Sequence, residues 1–425
     1  MAFYEKTRLD NGIRILTERI ENVRSVSFGI WIGAGSRDEP AKISGISHFI
    51  EHLMFKGTPT RSSREIAEHF ESMGAELNAF TAKESTTYYS RMQDEHLPDG
   101  VEVLADMLEN STFNEKDIKA ERQVVLEEIG LHDDSPDELI HDLFGDCMFS
   151  SHPLGKRILG NRKTVTNIKR NDILDFYNNT YSSQDLVVSA AGHLEHEKVV
   201  ELVKHYFAKT GKSSFKRKTE SISEKSKLVL QKRKTEQAHV CLGFLGLSAT
   251  DKDRFVVSVL DNILGGGMSA RLFWEIREKR GLAYSVYSYH SVHTETGAFC
   301  MYAGTSPKNV KEVIKIMKDL IDDIKTNEVS DKELNRAKNH IKGQLVLGLE
   351  STNHRMMRLG KSELAQQGKI YSVDELIEKI NAVTKDDILR LASKLFSDDS
   401  LSMAAIGPFS EDEFSYLNFK NQVVL

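Results

Sequence analysis

The residues with the most chemical potential lie in one short stretch, Gly45-Ile-Ser-His48-Phe-Ile-Glu51-His52-Leu-Met-Phe55. On an α-helix His48 and His52 share a face, and Glu51, three residues after His48, lies beside them. Two imidazoles on one face can hold one metal ion. Zinc suits neutral nitrogen ligands, and a carboxylate beside the metal's water can act as a general base. With 15 His in 425 residues, chance alone would yield this HxxEH order about once in twenty such chains, so the flanks matter. Ile46, Phe49, Ile50, Leu53 and Met54 are apolar, which makes the helix a packed one whose polar triplet needs an occupation.

A metal site that keeps one position for water needs a third protein ligand. Residues Glu115 to Leu131 read as a helix, with Ile118, Val125 and Ile129 apolar and charges between them. Within it, Glu121 and Glu128 are two turns apart and lie on nearly the same face. Any single glutamate there is equally readable as a surface charge.

HxxEH, a distant Glu128 and a second glutamate seven residues before it together resemble the inverzincin metallopeptidases, a family that includes pitrilysin, insulin-degrading enzyme and the mitochondrial processing peptidase. The likeness spans the whole chain and is strongest to the bacterial processing-peptidase-like single chains. Ala75-Glu-Leu-Asn78-Ala79-Phe80-Thr81 is similar to the family's active-site edge strand, and Arg277 and Tyr284 match its C-terminal substrate-binding pair.

The resemblance implies a zinc endopeptidase that hydrolyses extended, unfolded peptides inside a clamshell chamber. His48, His52 and Glu128 would bind Zn²⁺, with Glu127 as the rival third ligand; helix phase with Glu121 favours Glu128. Glu51 would be the general base. Glu121 would orient a histidine ligand or tune the base, its alternative being a surface charge. Asn78, Ala79 and Phe80 would pair with the substrate backbone, Tyr284 would donate to the oxyanion, and Arg277 would anchor substrate. Because the chain is as long as one half of the long family members, the resemblance implies a homodimer in which Arg277 and Tyr284 of one subunit complete the other's site. A noncatalytic peptide-binding or assembly subunit and a zinc hydrolase of other substrates are the competing readings, and Mn²⁺ or Co²⁺ could replace zinc.

Two homologous domains are expected to position these residues. Asn171-Asp-Ile-Leu-Asp-Phe, Tyr181-Ser and Leu186–Gly192 recur at one constant offset as Asp386-Asp-Ile-Leu-Arg-Leu, Phe396-Ser and Leu401–Gly407. Ser27–Gly33 and Cys241–Gly246 match at nearly the same offset and read as edge or half-buried strands. The predicted class is therefore α+β, each domain a mainly antiparallel sheet packed with helices: 1–208 zinc-binding and catalytic, 209–227 a polar, Ser/Lys-rich linker, and 228–425 a homologous domain that contributes substrate-binding residues.

Carried forward, the offset takes the HxxEH helix to Asp261-Asn-Ile-Leu-Gly265 and Glu128 to the neighbourhood of Gln344, so the second domain lacks this metal site. Gly265-Gly-Gly267 precedes a predicted helical run from Ser269, but its spacing is that of neither a dinucleotide fingerprint nor a P-loop. A net charge of −6 gives no reason to expect nucleic acid, and no apolar run has the roughly 18 to 20 residues of a membrane span. Cys147, Cys241 and Cys300 are widely spaced, as in a reducing compartment. With no basic, apolar leader at the N-terminus, a cytoplasmic location is expected.

Overall fold

The computed structural model describes residues 3–425 apart from 151, 182–185, 209–214, 221, 223–225, 366–369 and 411. Much of the predicted 209–227 linker lies outside the described residues. The rest is an α+β protein with two six-stranded sheets. The first contains β1 (Glu5–Arg8), β2 (Arg14–Arg19), β3 (Ser25–Ile32), β4 (Glu76–Thr81), β5 (Thr86–Gln93) and β6 (Leu186–Gly192), in the order β1-β2-β6-β3-β5-β4. The second contains β7 (Lys227–Lys232), β8 (Ala238–Gly246), β9 (Ala283–Val292), β10 (Gly297–Thr305), β11 (Ser402–Gly407) and β12 (Asn421–Val424), in the order β12-β7-β11-β8-β10-β9. The runs β2-β6-β3-β5-β4 and β7-β11-β8-β10-β9 have the same connectivity, with β2–β6 and β7–β11 parallel and the other pairs antiparallel. The sequence repeat is thus a repeat of topology.

One expectation is corrected. Ser27–Gly33 and Cys241–Gly246 read as edge or half-buried strands, yet β3 and β8 run through the middle of their sheets and are buried along most of their length. The reason is a helix on the second face of each sheet, taken from the other half of the sequence. The Thr352–Ala365 helix lies against β2, β3 and β6, with Met356 and Leu359 packed on Leu16, Trp31 and Val187. The Pro136–Phe149 helix lies against β7, β8 and β11. Glycine makes both approaches possible: a Cβ on Gly29 would sit 2.5 Å from the Met356 sulfur, and one on Gly243 2.6 Å from the Phe144 ring. By contacts the chain accordingly forms two interleaved units, residues 1–131, 156–218 and 348–370, and residues 132–155, 219–347 and 371–425.

In the first unit Phe28, Ile30 and Tyr88 form one core with Phe49, Ile50 and Leu53 of the Ile46–Met54 helix. Burial of side chains of this size stabilises by about 1.5–3 kcal/mol each, enough to fix the polar face of that helix. In the second unit the expected helix after Ser269 is wound as a π-helix over Phe273–Glu278, a form that recurs at functional sites.

Candidate metal centre

The Ile46–Met54 helix starts at Gly45, whose φ of +95° favours glycine and where a Cβ would lie 2.6 Å from the Leu159 carbonyl. Its first turn is held by Glu39, a buried carboxyl that accepts from Gly45 N at 2.7 Å and Ser47 N at 2.8 Å. Burial pushes Glu39 up to about 7, against the pull of those two donors.

One turn further, His48 and His52 stand with ring centroids 4.6 Å apart. The Glu115–Asp134 helix brings Glu128 opposite them, His48 Nε2 at 3.6 Å from one carboxylate oxygen and His52 Nε2 at 3.5 Å from the other. Ligands about 2.0–2.2 Å from a tetrahedral zinc are separated by about 3.3–3.6 Å, so each histidine stands at about that separation from one of the two Glu128 oxygens. The ligand atoms of His48, His52 and Glu128 lie within 4.8 Å of one another. Glu127 is exposed and lies outside that group.

Electrostatics favour a cation here. Glu51, Glu121 and Glu128 converge on the two imidazoles, and the Lys56 ammonium is paired to Glu121 at 2.5 Å. Burial, partly offset by Glu128, pushes His48 down to about 4, leaving it neutral and able to donate a lone pair at neutral pH. Burial opposes charge on His52, but hydrogen bonds with Glu128 and Glu121 outweigh it and raise its pKa. The Glu121 carboxylate lies 3.2 Å from His52 Nδ1. It can hold the proton on that nitrogen and turn Nε2 toward Glu128, as carboxylates behind metal-bound histidines do. Glu51 is half-buried beside this group, and burial raises its pKa, against a hydrogen bond donated by Thr81 Oγ1 at 2.5 Å.

Four supporting residues escaped the sequence reading. Thr81 ends β4, and no local pattern pairs it with Glu51. Lys56 follows His52 by one helical turn, a spacing that could have suggested it. Arg122 donates to the carbonyls of Val165 and Ile168 and lies over the Phe49 ring, fastening the second ligand helix to the first. Glu39 has no signal in sequence.

Asn78, Ala79 and Phe80 lie on β4, the edge strand of the first sheet, next to the Ile46–Met54 helix. Phe80 is half-buried, edge-on to Trp31 and Tyr89, and the Asn78 side chain accepts from Ala79 N. Arg277 and Tyr284 belong to the second unit, where they meet each other. The Arg277 guanidinium lies 4.5 Å from the Tyr284 ring centre and donates to the Tyr284 carbonyl at 3.1 Å. Tyr284 is 77% exposed, leaving its phenol free to meet another molecule. Where the offset placed the counterpart of the HxxEH helix, the Arg254–Leu264 helix carries Asp261, whose carboxylate accepts from Ser288 and contacts His290 at 3.0 Å.

Comparison with known proteins identifies the family of the chain. Residues 14–162 match the family described as insulinase (peptidase family M16), and residues 167–341 match the peptidase M16 inactive domain. The chain is 43% identical over 421 residues to an uncharacterized zinc protease of Streptomyces coelicolor, covering 97% of this chain and 91% of that one. It is 42% identical over 400 residues to one of Bacillus subtilis, covering 94% and 97%. Its fold matches the crystal structure of a protease from Helicobacter pylori with a TM-score of 0.88 at 24% identity, over 95% of this chain and 99% of that one. It also matches a peptidase M16 inactive domain structure from Pseudomonas fluorescens with a TM-score of 0.90 at 20% identity, over 96% and 98%.

Proposed function

The chain belongs to the M16 family of pitrilysin-like zinc peptidases, and we propose that it is an endopeptidase that cleaves extended, unfolded peptides beside β4. The observation that carries this reading is the convergence of His48, His52 and Glu128, with Glu51 held by Thr81, next to an open sheet edge.

His48, His52 and Glu128 would hold the Zn²⁺ that the family uses. When bound, zinc polarises the scissile carbonyl and acidifies water. Glu51, its pKa raised by burial, accepts the proton of the attacking water and passes it to the leaving amine. Thr81 fixes the Glu51 carboxylate through its hydroxyl. Glu121 orients His52. Asn78, Ala79 and Phe80 take the substrate backbone as an added strand, which demands extended conformation and little side-chain identity. Tyr284 donates to the oxyanion and Arg277 anchors the substrate.

On this reading 1–208 is the catalytic domain and 228–425 its homologue without an HxxEH site, and two copies form a clamshell chamber in which Arg277 and Tyr284 of one subunit serve the other's site. Among the described residues no helix is long and apolar enough to cross a membrane. The three free cysteines suit a reducing cytoplasm. A noncatalytic assembly subunit is disfavoured because every ligand and the base are present.

Mixing Glu51→Gln with Tyr284→Phe protein under subunit exchange tests the shared site. Regained cleavage of an unstructured peptide is expected; no regain despite proven exchange refutes sharing. Cleavage of folded proteins as fast as of unstructured peptides would refute the chamber.

A further inference from the structure

Cys147, Cys241 and Cys300, far apart in sequence, meet in the second unit. All three are buried, free of disulfides, and part of one cluster between the Pro136–Phe149 helix and its sheet. Cys241 lies on β8 and Cys300 on β10, and His141 reaches them from the helix. We infer that His141, Cys241 and Cys300 form a second metal centre, a thiolate site for Zn²⁺ built from residues other than those of the HxxEH centre.

One edge of the cluster has the length that a tetrahedral ion needs. The ligand atoms of the three residues lie within 4.8 Å of one another, and Cys241 Sγ is 3.6 Å from His141 Nδ1. Bond lengths of about 2.3 Å to sulfur and 2.0–2.1 Å to nitrogen require an S···N edge of about 3.5 Å. The imidazole is also oriented for the task. Its Nε2 lies 3.0 Å from the Tyr287 hydroxyl, so an Nε2–H donated there leaves the Nδ1 lone pair facing the thiols. The Tyr289 hydroxyl, 2.9 Å from Nδ1, sits opposite Cys300 in the β9–β10 register. It can turn to the thiolate once Nδ1 is committed to the ion, or fill the fourth position.

The alternative use of two adjacent thiols is a disulfide, and the register opposes it. Cys241 pairs with Tyr302 and Cys300 with Gly243, so the cysteines are diagonal neighbours. Diagonal Cα atoms are about 7–8 Å apart, beyond the reach of about 6.8 Å that a disulfide allows. Two sulfurs around one ion span that diagonal without backbone movement. Charge selects the ion. Both cysteines have no exposed surface, and two thiolates with a neutral imidazole cancel Zn²⁺ completely, whereas Cu⁺ would leave a buried negative charge. Hard cations such as Mg²⁺ and Ca²⁺ prefer oxygen. The feature belongs to the second unit: the repeat matches Cys241 to Ser27, and Tyr89 faces Gly29 where Cys300 faces Gly243.

The test is Co²⁺ titration of the metal-free full chain, followed by absorption. Thiolate ligands give Co²⁺ an intense charge-transfer band that the nitrogen and carboxylate ligands of the HxxEH centre cannot produce. Two equivalents should bind, the band rising with one of them. It should vanish in Cys241→Ser and in Cys300→Ser, persist in Cys147→Ser, and require at least about tenfold more Co²⁺ in His141→Gln. Zinc in the purified protein should fall from two ions per chain to one in Cys300→Ser, with peptide cleavage retained. A wild-type titration without the band overturns the assignment whether or not any variant folds. So does a band that survives both Cys241→Ser and Cys300→Ser.

Discussion

Replacing Glu121 by alanine tests how the centre orients its ligand. Glu121 is 6% exposed, one carboxylate oxygen 3.2 Å from His52 Nδ1 and the other 2.5 Å from the Lys56 ammonium. Removing the outer partner of a metal-bound histidine weakens metal binding by about 10- to 100-fold, or about 1.4–2.7 kcal/mol. Lys56 adds little, because its side chain is 32% exposed and can turn to water. Glu121→Gln keeps an oxygen for Nδ1–H but loses the charge, so its loss should be smaller. The pH dependence has a definite sign. Glu121 also helps to raise the pKa of His52, stabilising the protonated ring that competes with zinc. Below that raised pKa the reference state loses the same partner, so the deficit of Glu121→Ala should shrink as pH falls and be largest at alkaline pH. Zinc affinity measured by chelator competition across pH reads this directly. Unchanged affinity at alkaline pH, with lost peptide cleavage, would refute the orienting role and assign Glu121 to the substrate.

Thr81→Val removes the donor that lowers the pKa of Glu51. The base then ionises at higher pH, and the acid limb of the kcat/KM profile should move upward with zinc content unchanged. Glu39→Ala leaves two buried amides without acceptors and should cost about 3 kcal/mol in denaturant unfolding. Burial raises Glu39 from 4.5 to about 7, so between those values the folded chain holds a proton that the unfolded chain has released. Stability from this group therefore falls as pH rises through that window, and Glu39→Gln should flatten the fall.

Helix periodicity puts His48 and His52 on one face and separates Glu128 from Glu127, whereas the choice of Glu128 as a ligand came from the family resemblance. The shared strand order was legible in the constant offset from Leu186–Gly192 to Leu401–Gly407. The burial of β3 and β8 was not, because the helices that cover them come from the opposite half of the sequence. Gly29 and Gly243 mark both close approaches, yet a glycine within a strand has several meanings. Thr81, Glu39 and the meeting of Cys241 with Cys300 depend on register and turn geometry, which hydrophobic pattern does not specify.

The most direct test of the central claim is hydrolysis of quenched fluorogenic peptides by wild type and Glu51→Gln, with zinc quantified in both. Equal zinc in both proteins and a loss of cleavage of about 10²- to 10⁴-fold in the variant are expected. Retained cleavage in Glu51→Gln, or a zinc-loaded wild type that cuts no peptide, would contradict that claim.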